Sequence, residues 1–151
     1  MSDKKKPKKV FIDGPISSSF IGDSIAKHQT KTSIGGHSIF LGQVREDELE
    51  NDHVVAINFE AYEELAAPIL TDIREAAFEK FDLTCMHIYH SLGRVAVGEI
   101  CFFVFTSSPH RDACFEATRF IAEQVKSKVP IYGKEVLSNG KEVWKENTPA
   151  T

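Results

Sequence analysis

Glu99-Ile100-Cys101-Phe102-Phe103-Val104-Phe105-Thr106-Ser107 is the stretch that decides the fold. Ile100, Phe102 and Val104 alternate with Cys101, Phe103 and Phe105, so both faces of the predicted strand are apolar. Such a strand is central and covered on both sides, by helices or by another subunit. Just upstream, residues 83–92 read as a strand and residues 93–98 as a turn with a short extended piece, bounded by Gly93 and Gly98. Downstream, residues 109–128 read as a helix, with Pro109 in the first position and Ser107 or Ser108 as cap. Ala113, Ala117, Ile121 and Val125 define its buried stripe. Residues 129–137 and 142–145 then form a hairpin across Ser138-Asn139-Gly140.

Toward the N-terminus, residues 8–13 read as a short strand ended by Gly14-Pro15. A helix capped by Ser17, Ser18 or Ser19 runs to about His28. Residues 32–45 read as a long strand, with a bulge or close backbone contact at Gly35-Gly36, and the acidic residues 46–52 as a loop. Residues 54–62 form the next strand. A helix over about 64–81 carries an apolar stripe of Leu65, Ile69, Ile73, Ala76 and Ala77, and tolerates Pro68 only in its first turn. The order βαββαββαββ is not the βαβαβ of a doubly wound sheet; it predicts an α+β fold with a mostly antiparallel sheet and three helices.

The chain has 151 residues, 42% of them apolar, enough for one domain with one core. Residues 8–146 read as that domain, residues 1–7 as a flexible Lys-rich leader and 147–151 as a tail. The net charge is −4, and residues 1–9 contribute +4, leaving −8 on the remainder. An acidic body argues against a nucleic-acid partner. No apolar run reaches the roughly 18 residues of a membrane span, and the leader lacks the apolar segment of a secretory signal. Cys85, Cys101 and Cys114 sit in apolar stretches and read as buried thiols of a reducing, cytoplasmic compartment. The six histidines and three cysteines show no metal-ligand spacing, so no metal and no cofactor is expected.

Three segments offer chemistry. In Leu41-Gly42-Gln43-Val44-Arg45, a glycine permits close approach and an arginine fork suits phosphate or carboxylate. In Ser107-Ser108-Pro109-His110-Arg111, two potential cations stand at a helix start, where an anion is the favoured guest. In the third, residues 126–135, helical spacing sets Phe115, Arg119, Ala122 and Lys126 on one stripe, away from the main buried face. Lys126 is therefore either a solvated lysine or one at a subunit or ligand cleft, where neighbouring cations would lower its pKa.

The ordered set of segments resembles the large, catalytic subunits of molybdopterin synthase, the MoaE family. The resemblance rests on Phe40-Leu41-Gly42-Gln43-Val44-Arg45, Phe59-Glu60-Ala61-Tyr62, Gly93 through Gly98-Glu99, Ser107-Ser108-Pro109-His110-Arg111, Phe115-Glu116-Ala117, and Lys126 through Val129-Pro130-Ile131 to Lys134-Glu135, with Gly140 and Trp144 beyond. It implies an α/β-hammerhead-like fold and a sulfurtransferase of molybdenum cofactor biosynthesis. Such an enzyme converts cyclic pyranopterin monophosphate (precursor Z) to molybdopterin, using the C-terminal thiocarboxylate of a small ubiquitin-like subunit. It implies a catalytic homodimer with one small subunit at each end, a heterotetramer. It assigns Lys126 the place nearest the incoming thiocarboxylate, and Gln43, Arg45, His110 and Arg111 the binding of substrate, gathered with Lys128 and Lys134 into one basic pocket.

Two positions depart from the family pattern. The family's second catalytic lysine falls on Gly133, and Lys134 replaces it only if the backbone bulges there, since one step along a strand reverses the face. The common His-Arg-x-Gly becomes His90-Ser91-Leu92-Gly93, removing one cation. These departures leave an alternative: a non-catalytic module that binds the ubiquitin-like partner and has lost turnover.

Overall fold

A computed structural model describes residues 9–145; the leader at 1–7 and the tail at 147–151 lie outside the described residues. In chain order the elements are β1 (Phe11–Asp13), α1 (Ser18–His28), β2 (Gly36–Gln43), β3 (Glu48–Leu49), β4 (Asp52–Ala61), α2 (Glu63–Lys80), β5 (Cys85–Ala96), β6 (Ile100–Ser108), α3 (Arg111–Lys128), β7 (Ile131–Leu137) and β8 (Glu142–Trp144). The sheet runs β2-β6-β5-β4-β7-β8, with β1 attached to β5 and β3 to β4. The β1–β5 pair is parallel and the other pairs are antiparallel, so the α+β architecture is as expected.

β6 lies between β2 and β5 and is covered on both faces. Every residue from Cys101 to Ser108 is buried. Phe102 and Val104 join Ala117, Ile121 and Val125 of α3 and Ala66, Leu70, Ile73 and Ala77 of α2 in the main core. Phe103 and Phe105 pack on the other side with Ile16 and with Phe20, Ile21 and Ile25 of α1. The cover on both faces is thus helical and comes from the same chain.

Several boundaries differ from the expected ones, each for a local reason. β5 is a single strand where a strand and a turn were expected. Residues 85–90 pair with β6, and residues 93–96 pair with β4. Gly93, at φ 83°, lets the backbone swing from one ladder to the other without ending the strand. β2 begins at Gly36 because the chain at Gly35 runs against the segment just before α3: a β-carbon at Gly35 would overlap the Pro109 carbonyl. The acidic loop contains the two-residue β3, paired with the start of β4.

α2 buries Ala66, Leu70, Ile73 and Ala77, a stripe rotated from the expected one, and leaves Leu65 61% exposed. Its Pro68 is the sixth helical residue, beyond the first turn. Pro68 and Glu64 are both exposed, so water can serve the Glu64 carbonyl that proline cannot. α3 starts at Arg111, with His110 as N-cap in extended conformation and Pro109 outside the helix. Ser108 Oγ does part of the capping by accepting from Cys114 N–H. Ser17 caps α1 by accepting from Phe20 N–H.

Candidate active site

Lys126 lies in the last turn of α3 and is an exposed residue. Its Nζ nevertheless comes to 5.1 Å from the centroid of the Phe102 ring, and Phe102 is fully buried. The ammonium thus lies against a buried ring although the residue as a whole is exposed. Removal of the amine from bulk water lowers its pKa; the Cys101 thiol opposes this and the Lys145 charge adds to it. The floor beneath the amine is dense. Cys101 lies beside Gly42, its Sγ–H directed at the Gly42 carbonyl at 3.5 Å. A β-carbon at Gly42 would sit 3.0 Å from Phe102 Cβ, so this glycine serves the packing of β2 on β6.

His90 continues the floor. It is 1% exposed, with its ring 5.4 Å from that of Phe102 and 5.0 Å from that of Phe59. Burial pushes its pKa down to about 4; the hydrogen bond between Nδ1 and the Ser91 carbonyl opposes this, and the Lys126 charge reinforces it. His90 is therefore a neutral imidazole near neutral pH, and Nδ1 carries the proton in the bond to Ser91. Ser91, where the resemblance expects arginine, is wholly buried and leaves its hydroxyl without a partner among the described residues.

The substrate-binding candidates divide into two groups. Gln43 ends β2, and Arg45 follows it, at the same end of the sheet as Gly42 and Lys126. Arg45 is held by Asp47, Nε to Oδ1 at 3.3 Å, with its side chain 76% exposed. His110 and Arg111 stand at the opposite end of α3. Fifteen residues separate Arg111 from Lys126, roughly 22 Å at the helical rise. Both His110 and Arg111 are exposed, and neither has an ion-pair partner among the described residues. One chain therefore does not gather the expected basic residues into one pocket, because α3 is a straight spacer between them.

Lys134 is also placed differently from the expectation. The β4–β7 ladder is unbroken at Gly133: Phe59 faces Gly133 and Asn58 faces Lys134, and the register shift lies between Val54 and Ala56. Without a bulge, Lys134 projects from the other face of the sheet, and its Nζ lies 4.7 Å from the centroid of the Trp144 ring. Gly133 itself faces the core, where a β-carbon would meet Ile57 Cγ2 at 2.9 Å. His90 and Lys145 were missed by the sequence reading. For Lys145 a signal existed: counting back through the Ser138-Asn139-Gly140 turn pairs Lys145 with Gly133.

An open cleft lined by Ile12, Ile16, Phe20, His87 and Tyr89 shares no residue with this site. Among the described residues, no group of three or more His, Cys, Asp or Glu side chains is arranged to hold a metal. No helix among them is long and apolar enough to cross a membrane.

The family model of the MoaE protein matches residues 16–128, which include Lys126 and the segments at 41–45 and 107–111. The chain belongs to the MoaE family. It is 38% identical over 117 residues to the molybdopterin synthase catalytic subunit of Pyrococcus abyssi, covering 78% of each protein. It is also 38% identical over 120 residues to that of Oryza sativa subsp. indica, covering 80% of this chain but 61% of the longer rice protein. This MoaE chain superimposes on the molybdopterin synthase of Staphylococcus aureus with TM-score 0.77 and 25% identity, covering 91% of this chain and 96% of that one. It matches a complex of subunits 1 and 2 of the molybdopterin-converting factor from Helicobacter pylori with TM-score 0.78 and 19% identity, covering 93% and 91%; this last likeness concerns the fold.

Proposed function

We propose that this MoaE chain is the catalytic subunit of a cytoplasmic molybdopterin synthase. It transfers sulfur from the C-terminal thiocarboxylate of a small ubiquitin-like subunit to precursor Z. The observation that carries this reading is the Lys126 amine, lowered in pKa and held over Phe102 in a chain of this family. The thiocarboxylate sulfur bonds to the pterin side chain, and water then cleaves the acyl–sulfur bond and leaves the small subunit as its carboxylate; a neutral fraction of the Lys126 amine takes the proton of that water. Its ammonium form returns a proton to the departing oxygen. Gln43 and Arg45 lie at the same end of the sheet and supply donors to substrate oxygens.

His110 and Arg111 serve the same substrate from the second protomer of a homodimer. Their separation from Lys126 along α3 supports this arrangement, since one protomer offers the anion-binding pair and the other the lysine. Tyr62, Leu65 and Tyr132 are exposed, with the Tyr62 and Tyr132 rings 5.9 Å apart. Tyr62 N–H donates to the Pro130 carbonyl, just past the end of α3. This apolar surface beside the Lys126 end suits a docking protein.

The test is conversion of precursor Z to molybdopterin by the purified chain and the thiocarboxylated small subunit. Lys126→Ala is expected to lower turnover at least about 100-fold with an unchanged melting temperature. Full activity in that variant would remove Lys126 from the mechanism. Gly133 is the observation that favours the alternative of a binding module without turnover; binding of the small subunit with no product from the unmutated chain would establish it.

A further inference from the structure

Beyond Trp144, the β7–β8 ladder continues by one more bond: Lys145 N–H donates to the Gly133 carbonyl at 2.8 Å. The register runs Val136 to Glu142, Glu135 to Val143 and Lys134 to Trp144, so Lys145 stands opposite Gly133. Residues directly opposite in an antiparallel ladder project from the same face. Lys145 therefore leaves the backbone on the face that Gly133 shares with Ile57 and Phe59, and Gly133 has no side chain to obstruct it. On that face, ring contacts link Phe59 to His90 and His90 to Phe102, and the Lys126 Nζ lies over Phe102. The Lys126 amine, from α3, thus lies over this aromatic face, and Lys145, just past β8, leaves the ladder on the same face.

We propose that Lys145 is the second cation of the Lys126 site, a positioning residue that stands opposite Gly133 on the same face of the ladder and keeps the Lys126 amine poised for proton transfer. Lys134 cannot do this, because it occupies the other face against Trp144. The groups around the Lys126 amine are consistent with this role. His90 from β5 is neutral, and the Cys101 thiol from β6 has its pKa raised by burial. Arg45 beyond β2 is engaged by Asp47. On α3 itself, Glu123 is paired with Arg119. Glu135 of β7 lies on the Gly133 face but makes no ion pair with either lysine among the described residues. Lys145 is left as the charge that disfavours protonation of Lys126, and it acts on Cys101 as well.

The role in turnover rests on the proposed synthase reading, whereas the electrostatic link does not, and the experiment separates them. Side-chain NMR of lysine in the full chain follows the titration of Lys126 in the absence of substrate. Lys145→Met is expected to move that titration to higher pH, Lys145→Arg to leave it near its original place, and Lys134→Met to move it less than Lys145→Met. An unchanged Lys126 titration in Lys145→Met overturns the proposal, whether or not the chain turns over. In the synthase assay, Lys145→Met is expected to shift the pH–rate profile upward and to lower kcat about tenfold more than it raises KM. Lys145→Arg is expected to restore the original profile. A Lys145→Met enzyme with unaltered kcat and pH profile overturns the role in turnover. Absence of product from the unmutated chain overturns the synthase reading, while the titration still decides the link between the two lysines.

Discussion

His90 shows how much one buried group sets the behaviour of its surroundings. Its pKa of about 4 lies below the ordinary value of 6.5, so the unfolded chain takes up a proton at a pH where the folded chain does not. Stability from this group is complete above about pH 6.5 and is lost progressively as the pH falls toward 4. The full loss is on the order of 3 kcal/mol. Urea unfolding at pH 7 and at pH 4.5 measures it, and His90→Gln is expected to flatten the difference. An equal pH dependence in the variant would place the titrating group elsewhere. Gly133 teaches a related lesson. In the sequence it is a missing lysine; in the structure it is a tight contact with Ile57 and the ladder partner of Lys145. Gly133→Ala is expected to destabilise the chain by about 1–3 kcal/mol, read from the urea midpoint, since the β-carbon would overpack Ile57.

At the scale of the element, amphipathic spacing located all three helices but set their ends and faces less well. The stripe of α3 was legible because Ala117, Ile121 and Val125 recur every four residues against a strand that is itself apolar. The stripe of α2 was not. Leu65 and Ala66 compete for the same turn, and α2 packs on α3, which selects the smaller side chain. Pro68 is the local cost of that sequence. It removes one intrahelical bond at an exposed position, so Pro68→Ala is expected to stabilise the chain by about 1–3 kcal/mol, seen as a raised melting temperature without change in turnover. β5 escaped the pattern for another reason: Gly93 has the chemistry of a turn, and only the partner strands on both of its sides keep the chain extended through it.

The whole molecule decides which functional residues can meet. Lys126 with Lys145 lies at one end of α3, and His110 with Arg111 at the other. If a homodimer brings these ends together, two inactive variants should complement each other. Lys126→Ala and Arg111→Ala chains, unfolded together and refolded as a mixture, are expected to recover about a quarter of the unmutated activity, because half of the dimers are mixed and each mixed dimer has one intact site. No recovery would confine the site to one protomer and separate His110 and Arg111 from the chemistry.

The sequence by itself determined the fold class, the doubly covered strand β6, the α3 stripe and the segments that carry the family resemblance. All of these rest on local periodicity or on ordered motifs, which need no knowledge of distant contacts. Tertiary structure alone decided three further things: that Lys134 turns away, that Lys145 stands opposite Gly133 in the β7–β8 ladder, and that α3 holds the two basic groups roughly 22 Å apart. The physical reason is the same in each case. The face a side chain occupies depends on the register of a ladder, and the distance between groups depends on the rigid element between them, and neither is written in the residue types alone.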